Sequence, residues 1–511
     1  MVALIAVGAA STLLVPLFQL TGLVIAGVAV VVVYVATLGT PRGSVFARVQ
    51  SRRRWAERRR LGTDRFDPVA TRPDGLDNPT GTRAERKAAT KLYASYRDWP
   101  DGADRMYWLQ RGRGEPGIAW HMPLGEESYL SVAWAVEGQI AGLESDLLLA
   151  TAMTGFGRLL SRYGASSALP NRVQSLTRVV PVDSAFHEAW VWSQLDDDAP
   201  AELVASYDEV VRLASSGGLM QRHYLVVRWP ITAAFTAAAA RRGPAQQGWR
   251  ALMAAEITAV TSHLRTARFR SVAPVTAAQL AAVLRHMQHP SWPIDQAADV
   301  DVDAPWLPSH DELSATITTA PGPDGHPEQW WHRTAVLPIA AFEAGPRGSL
   351  WASPLLSGME HPIVRTLSLQ TEVVAASDAR RQARRDVTAD LADLEGQREK
   401  GVLVGDELEA GLAAAKGRLA DLAPGSGYQG AGWVGHLTIS ARTRDDLVDA
   451  TAKITEAAGN AGITALEWCD TQQAAASACT WPLARGMRPL TRSRATTVRG
   501  LLAGAGTKEQ I

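Results

Sequence analysis

The sequence predicts an α+β protein: two N-terminal transmembrane helices, then a cytoplasmic domain with two ferredoxin-like split βαβ units and a helical hairpin insertion. Three observations predict it. Residues 1–40 contain no Asp, Glu, Lys or Arg. Beyond Lys91, short apolar strands alternate with amphipathic helices. A strand–helix–strand unit occurs twice, about 210 residues apart.

The apolar run comes first. As one helix, Val2–Leu38 would extend roughly 55 Å at about 1.5 Å per residue, against a hydrocarbon core of about 30 Å. The polar, turn-capable stretch Gln19-Leu20-Thr21-Gly22 divides it into Val2–Phe18 and Leu23–Thr37, which read as a membrane hairpin. Arg48, Arg52, Arg53, Arg54, Arg58, Arg59 and Arg60 follow, with Glu57 as the single acid of residues 41–60. Arginines in that density beside a span mark the cytoplasmic side and contact anionic lipid. The expectation is a two-span protein of the plasma membrane with its large domain in the cytoplasm.

Residues 41–90 read as a basic juxtamembrane segment and linker, the later part rich in Pro, Gly and Asp. Residues 91–288 form a first α/β part. Ile118–Met122 and Tyr129–Val136 are paired strands; Ser145–Tyr163 is a helix with an apolar stripe; Val173–Val180 is a strand; Ala185–Gln194 and Glu202–Ser215 are helices. Strand Tyr224–Val227, helix Gln247–Leu264 and strand Arg268–Val272 make the first split βαβ unit, and Thr276–Met287 a further helix. Residues 289–329 read as an irregular insertion rich in Pro and Asp. Residues 330–495 form the second part, with strands Trp330–Pro338 and Val364–Val374 and the charged helical hairpin 377–422. Strand Trp433–Ser440, helix Arg444–Gly459 and strand Ile463–Trp468 make the second unit, before a tail at 496–511.

Composition narrows the function classes. With 46% hydrophobic residues the chain can bury a large core. Balanced charge, 52 basic against 52 acidic residues, argues against direct contact with nucleic acid. Two cysteines, Cys469 and Cys479, exclude a disulfide scaffold. No segment has the Gly-x4-Gly-Lys-[Ser/Thr] spacing that cradles phosphate, and there is no Gly-x-Ser-x-Gly elbow. Asp299, Asp301 and Asp303 match the start of an EF-hand loop, but Ala304 replaces the turn glycine and His310 the closing glutamate. His286 and His289 lie a helical turn apart without a third ligand in sequence. The 17 Trp residues read as core groups, and the four in Trp-Pro pairs as strand caps. The sequence reading therefore assigns no catalytic residue, no metal and no cofactor, and expects a protein that is not an enzyme.

The hairpin of the first forty residues resembles the small two-span PrgI-like proteins of conjugation machineries. Tyr224–Pro230 with helix Gln247–Leu264, Val434–Ser440 with helix Arg444–Gly459, and the stretch Cys479–Leu483 through Met487–Thr491 resemble the N-terminal, non-motor part of type IV secretion conjugation ATPases. Asp98-Trp99-Pro100 and His361–Leu367 add to a likeness to an actinobacterial integral-membrane family that carries the hairpin and this domain without the motor. The resemblance implies a structural subunit that docks a separate P-loop ATPase and other apparatus subunits, assembles as a homo-oligomer, and uses strand edges and the 377–422 hairpin for docking. A membrane component of an actinobacterial type VII secretion system is the alternative.

Overall fold

The computed structural model describes residues 45–487 apart from short stretches at 140–143, 166, 183–184, 197, 216–217, 293, 295–299, 322–325, 344–347, 349, 358, 360–361 and 400–405. The chain divides into two compact units, Met1–Asp64 with Arg488–Ile511, and Arg65–Met487. In the first, the described part is dominated by helix α1 (Val45–Leu61).

The second unit opens with β1 (Arg65–Pro68), α2 (Arg83–Tyr93) and β2 (Tyr96–Arg97). Within the stretch read as linker, Thr82 and Glu85 form a capping box that starts α2. Then come β3 (Met106–Gln110), β4 (Ile118–His121), β5 (Tyr129–Glu137), α3 (Asp146–Tyr163) and β6 (Arg172–Pro181). A helical pair, α4 (Ala185–Gln194) and α5 (Ala201–Ser215), leads to β7 (Leu219–Pro230). The first half closes with α6 (Ala233–Ala240), α7 (Ala245–Thr266) and β8 (Arg270–Pro274), followed by α8 (Ala277–Gln288).

The second half repeats this plan. β9 (Ser309–Asp311), β10 (Thr316–Pro321) and β11 (Pro327–Leu337) are followed by the short α9 (Ser353–Leu356) and β12 (Val364–Val374). A second helical pair, α10 (Ala376–Glu399) and α11 (Asp406–Asp421), leads to β13 (Gly430–Ala441), α12 (Arg444–Asn460), β14 (Glu467–Trp468) and α13 (Gln473–Ser477). Residues 289–329, expected to be irregular, therefore contain two short strands and the start of a third.

All strands join one 14-stranded sheet, in the path β2-β1-β9-β10-β11-β13-β12-β6-β7-β5-β4-β3, with β8 on β5 and β14 on β11. Outward from the centre, β6-β7-β5-β4-β3 is matched by β12-β13-β11-β10-β9. The halves meet where β6 runs antiparallel to β12, from Arg172 opposite Glu372 to Val179 opposite Arg365. β5 pairs antiparallel with both β7 and β8, and β11 with both β13 and β14. Each strand–helix–strand unit is thus split by one intervening strand.

Alternation along the strands places a core on each face. Leu225, Val227 and Trp229 of β7 pack with Leu252, Met253, Ile257, Val260 and Leu264 of α7, while Tyr224 and Val226 face α8 and the segment 478–484. In the second half, Leu437 and Ile439 of β13 pack on Leu447, Ala450 and Ile454 of α12. The opposite face there is polar. Thr438 Oγ1 lies 2.8 Å from Thr334 Oγ1 and 2.9 Å from Thr480 Oγ1, so its buried hydroxyl is satisfied on both sides.

The membrane part of the fold class is corrected, together with the plasma-membrane location and the membrane as partner. No helix among the described residues is long and apolar enough to cross a membrane. The longest of them carry charge along their length: α7 includes Arg250, Glu256 and Arg265, and α10 includes Arg380, Arg384, Asp386 and Asp390. The apolar run Val2–Thr37, which prompted the expectation, lies outside the described residues.

Candidate docking surfaces

The β6–β7 and β12–β13 connections occupy equivalent places in the two halves, and each is a pair of helices. Their side chains differ. In α10 and α11 the apolar residues are used within the hairpin and at its base. Leu394, Leu412 and Ala415 are buried, and Ala379 and Ala383 pack with Leu422. The polar face also bonds internally: Arg380 Nε donates to Leu422 O at 2.7 Å, Gln382 Nε2 to Asp386 Oδ1 at 3.0 Å, and Arg381 pairs with Asp378. This hairpin satisfies itself.

The pair α4–α5 leaves more of its large apolar groups exposed. Trp190 and Trp192 are each 58% exposed, Leu203 is 67% and Leu213 is 58% exposed. Leu203, Val204, Tyr207 and Val211 follow a helical stripe along α5, and of these only Val211 is buried. Leu203, Val210 and Leu213 mark a second apolar stripe facing solvent. Between the helices runs a groove of about 320 Å³ lined by Val191, Trp192, Leu195, Leu203, Tyr207 and their neighbours, with Asp208 as its one charged residue. A run of large exposed apolar groups of this kind is a candidate interaction surface. From the sequence, Ala185–Gln194 and Glu202–Ser215 read only as helices, with the tryptophans as core groups. The available signal was that α5 is apolar on more than one stripe.

The predicted arginines lie on α1. Arg52, Arg53, Arg54, Arg59 and Arg60 are exposed, Arg58 Nη2 donates to Thr63 O at 3.2 Å, and Arg59 sits over Trp55 at 4.9 Å; Arg48 falls in the first turn. The orientation role expected of them depends on spans that the described residues do not contain.

The expected strand edges are short. The path ends in β2, two residues long, and in β3, whose pairing with β4 shifts register between Trp108 and Gln110. Short or bulged edges resist strand addition. Beside β3 lies a cleft of about 700 Å³ walled by Trp99, Tyr107, Trp108 and Trp306, with Arg111 ion-paired to Asp303 at its rim. Trp99 and Trp108 spend their indole N–H groups on Met106 O at 2.9 Å and Val302 O at 3.0 Å.

Buried polar groups elsewhere act as structural ties. Gln174 donates to Trp481 O at 2.9 Å and accepts from Ala484 N at 2.8 Å, and Tyr129 OH donates to Leu483 O at 2.9 Å, fastening the segment after α13 across the sheet. His286 Nδ1 accepts from Arg178 Nε at 3.1 Å, whereas His289 lies 3.5 Å from Glu328, so the two histidines serve separate partners. Burial lowers His121 and His286 well below the usual imidazole range, His332 to about 3 and His436 to about 4. Burial also pushes the Cys469 thiol up to about 11 and Cys479 to about 12, which leaves both protonated and poorly nucleophilic at neutral pH. Among the described residues no three His, Cys, Asp or Glu side chains converge in a way that could hold a metal ion.

No family model matches the chain, and no curated protein matches it.

Proposed function

We propose that the chain is a non-catalytic docking subunit of a type IV-like conjugation or secretion apparatus, and that it recruits a separate P-loop ATPase. The carrying observation is the apolar α4–α5 surface, mounted on a sheet whose other large apolar groups are mostly spent in its cores. The two split βαβ units agree with the resemblance to the non-motor part of conjugation ATPases. No segment of this chain has Walker A spacing, so nucleotide hydrolysis is left to another polypeptide.

The test is crosslinking in the native host, purification of the full chain and identification of attached proteins by mass spectrometry. A P-loop ATPase of conjugation type, crosslinked to residues 65–487, is the expected result. Recovery of type VII core components instead would overturn this reading.

A further inference from the structure

The apolar groove of α4–α5 is set in an acidic surround. Residues 185–215 hold seven Asp and Glu residues, while Arg212 is the only Lys or Arg. Asp196, Asp198 and Glu202 are exposed in the turn and at the start of α5, and Asp208 lines the groove itself. Its volume of about 320 Å³ is at the lower end of the roughly 300–1,000 Å³ typical of ligand pockets, and it offers almost no hydrogen-bonding group to orient a polar cofactor. Space of this size between two helices suits one or two large apolar side chains inserted from a third element.

We infer that α4–α5 receives a basic amphipathic helix from a partner protein. Apolar anchors at i, i+3 or i+4, and i+7 enter the groove beside Trp192, Leu203 and Tyr207. Lys and Arg on the flanks of the incoming helix lie over Asp196, Asp198, Glu202 and Asp208. Apolar burial provides the holding term, while the acidic rim selects the partner's sign and speeds encounter. An acidic helix with the same apolar stripe is rejected by like-charge contact. This inference rests on the reading of the chain as a docking subunit and names the partner's chemistry at that site.

The test titrates the full chain with fluorescently labelled synthetic helices of about 15 residues, a length at which an isolated helix is marginal and gains from docking. Three peptides are compared: leucines at the anchor positions with Lys and Arg flanks, the same leucines with Glu flanks, and the basic flanks with the leucines replaced by serine. Only the first is expected to bind, with affinity falling as salt rises. Trp192→Ala with Leu203→Ala is expected to weaken it about tenfold or more. Both positions are exposed, so the variant keeps its fold, checked by its melting curve. Leu391→Ala, an exposed site on α10, serves as the control and leaves binding unchanged. Equal binding of the acidic and basic peptides, or full binding by the folded double variant, overturns the inference.

The same variant separates the two proposals. If it still recovers the P-loop ATPase from the native host, the groove inference fails and the docking reading stands. If the unsubstituted chain recovers no ATPase while the basic peptide binds its groove, the docking reading fails and the groove inference stands.

Discussion

The two helical hairpins leave the sheet from matching positions, yet one is closed on itself and the other is open. In α10–α11, buried Leu394, Leu412 and Ala415 and the Arg380 bond to Leu422 O take up the sticky groups. In α4–α5, Trp190, Trp192, Leu203 and Val210 remain more than half exposed. Equal topology therefore does not impose equal use. The split βαβ frame fixes where a helical pair projects, and the side chains decide whether it closes on itself or leaves an apolar face exposed.

The comparison assumes that both hairpins depend on one sheet, and the largest expected effects test that. Arg172 of β6 and Glu372 of β12 form a buried pair 2.6 Å apart at the junction of the halves. Glu372→Gln leaves a buried guanidinium without its counter-charge and is expected to cost about 3–5 kcal/mol in denaturant unfolding. Ile454→Ala, in the core under α12, is expected to cost about 2–5 kcal/mol. If the sheet is continuous, both variants lower one shared transition; two separated transitions would show that the halves, and their hairpins, fold apart.

Acid acts on the same frame with a definite sign. His121, His286, His332 and His436 are held neutral by burial, with folded values below the unfolded value of about 6.5. Their contribution is complete above that value. As pH falls through it the unfolded chain binds protons that the folded chain refuses, and stability drops by about 1.4 kcal/mol per pH unit per histidine. The drop for His436 ends near about 4 and for His332 near about 3. Melting temperature measured from pH 8 to pH 4 should fall below about pH 6.5; a flat profile would mean that these imidazoles are solvated.

The smallest effects divide the two hairpins most sharply. Leu412→Ala, 7% exposed, is expected to loosen α10–α11 by about 2 kcal/mol, seen as faster amide exchange in that hairpin. Leu203→Ala, 67% exposed, is expected to change global stability by under about 0.5 kcal/mol. A large loss of stability in Leu203→Ala would mean that the α4–α5 face is structural after all.

Much of the frame was legible in the sequence because local patterns were consistent with it. Thr276 and Gln279 announce α8 as a capping box, and the stripe on Gln247–Leu264 gives α7 to within two residues at each end. β7 was read too short, since Gln221, Arg222 and His223 look like loop residues; His223 Nδ1 lies 3.0 Å from Thr177 Oγ1 on the neighbouring strand, so tertiary pairing accounts for the polarity. β9 and β10 were missed within a Pro- and Asp-rich stretch: β9 has only three residues and takes its outer partner from β1, far away in sequence, while β10 pairs with β9 and with β11 close by. The apolar groove was hidden for a different reason. An apolar residue on a helix reads as core until the structure shows how much of it is exposed.

The most direct test places a photo-crosslinking residue at Leu203 or at Leu391 of the full chain in its native host and identifies the adducts. This account predicts a heavy adduct containing a P-loop ATPase from position 203 and none from position 391. The reverse pattern, or the same adduct from both positions, would contradict the assignment of α4–α5 as the receptor and α10–α11 as the strut.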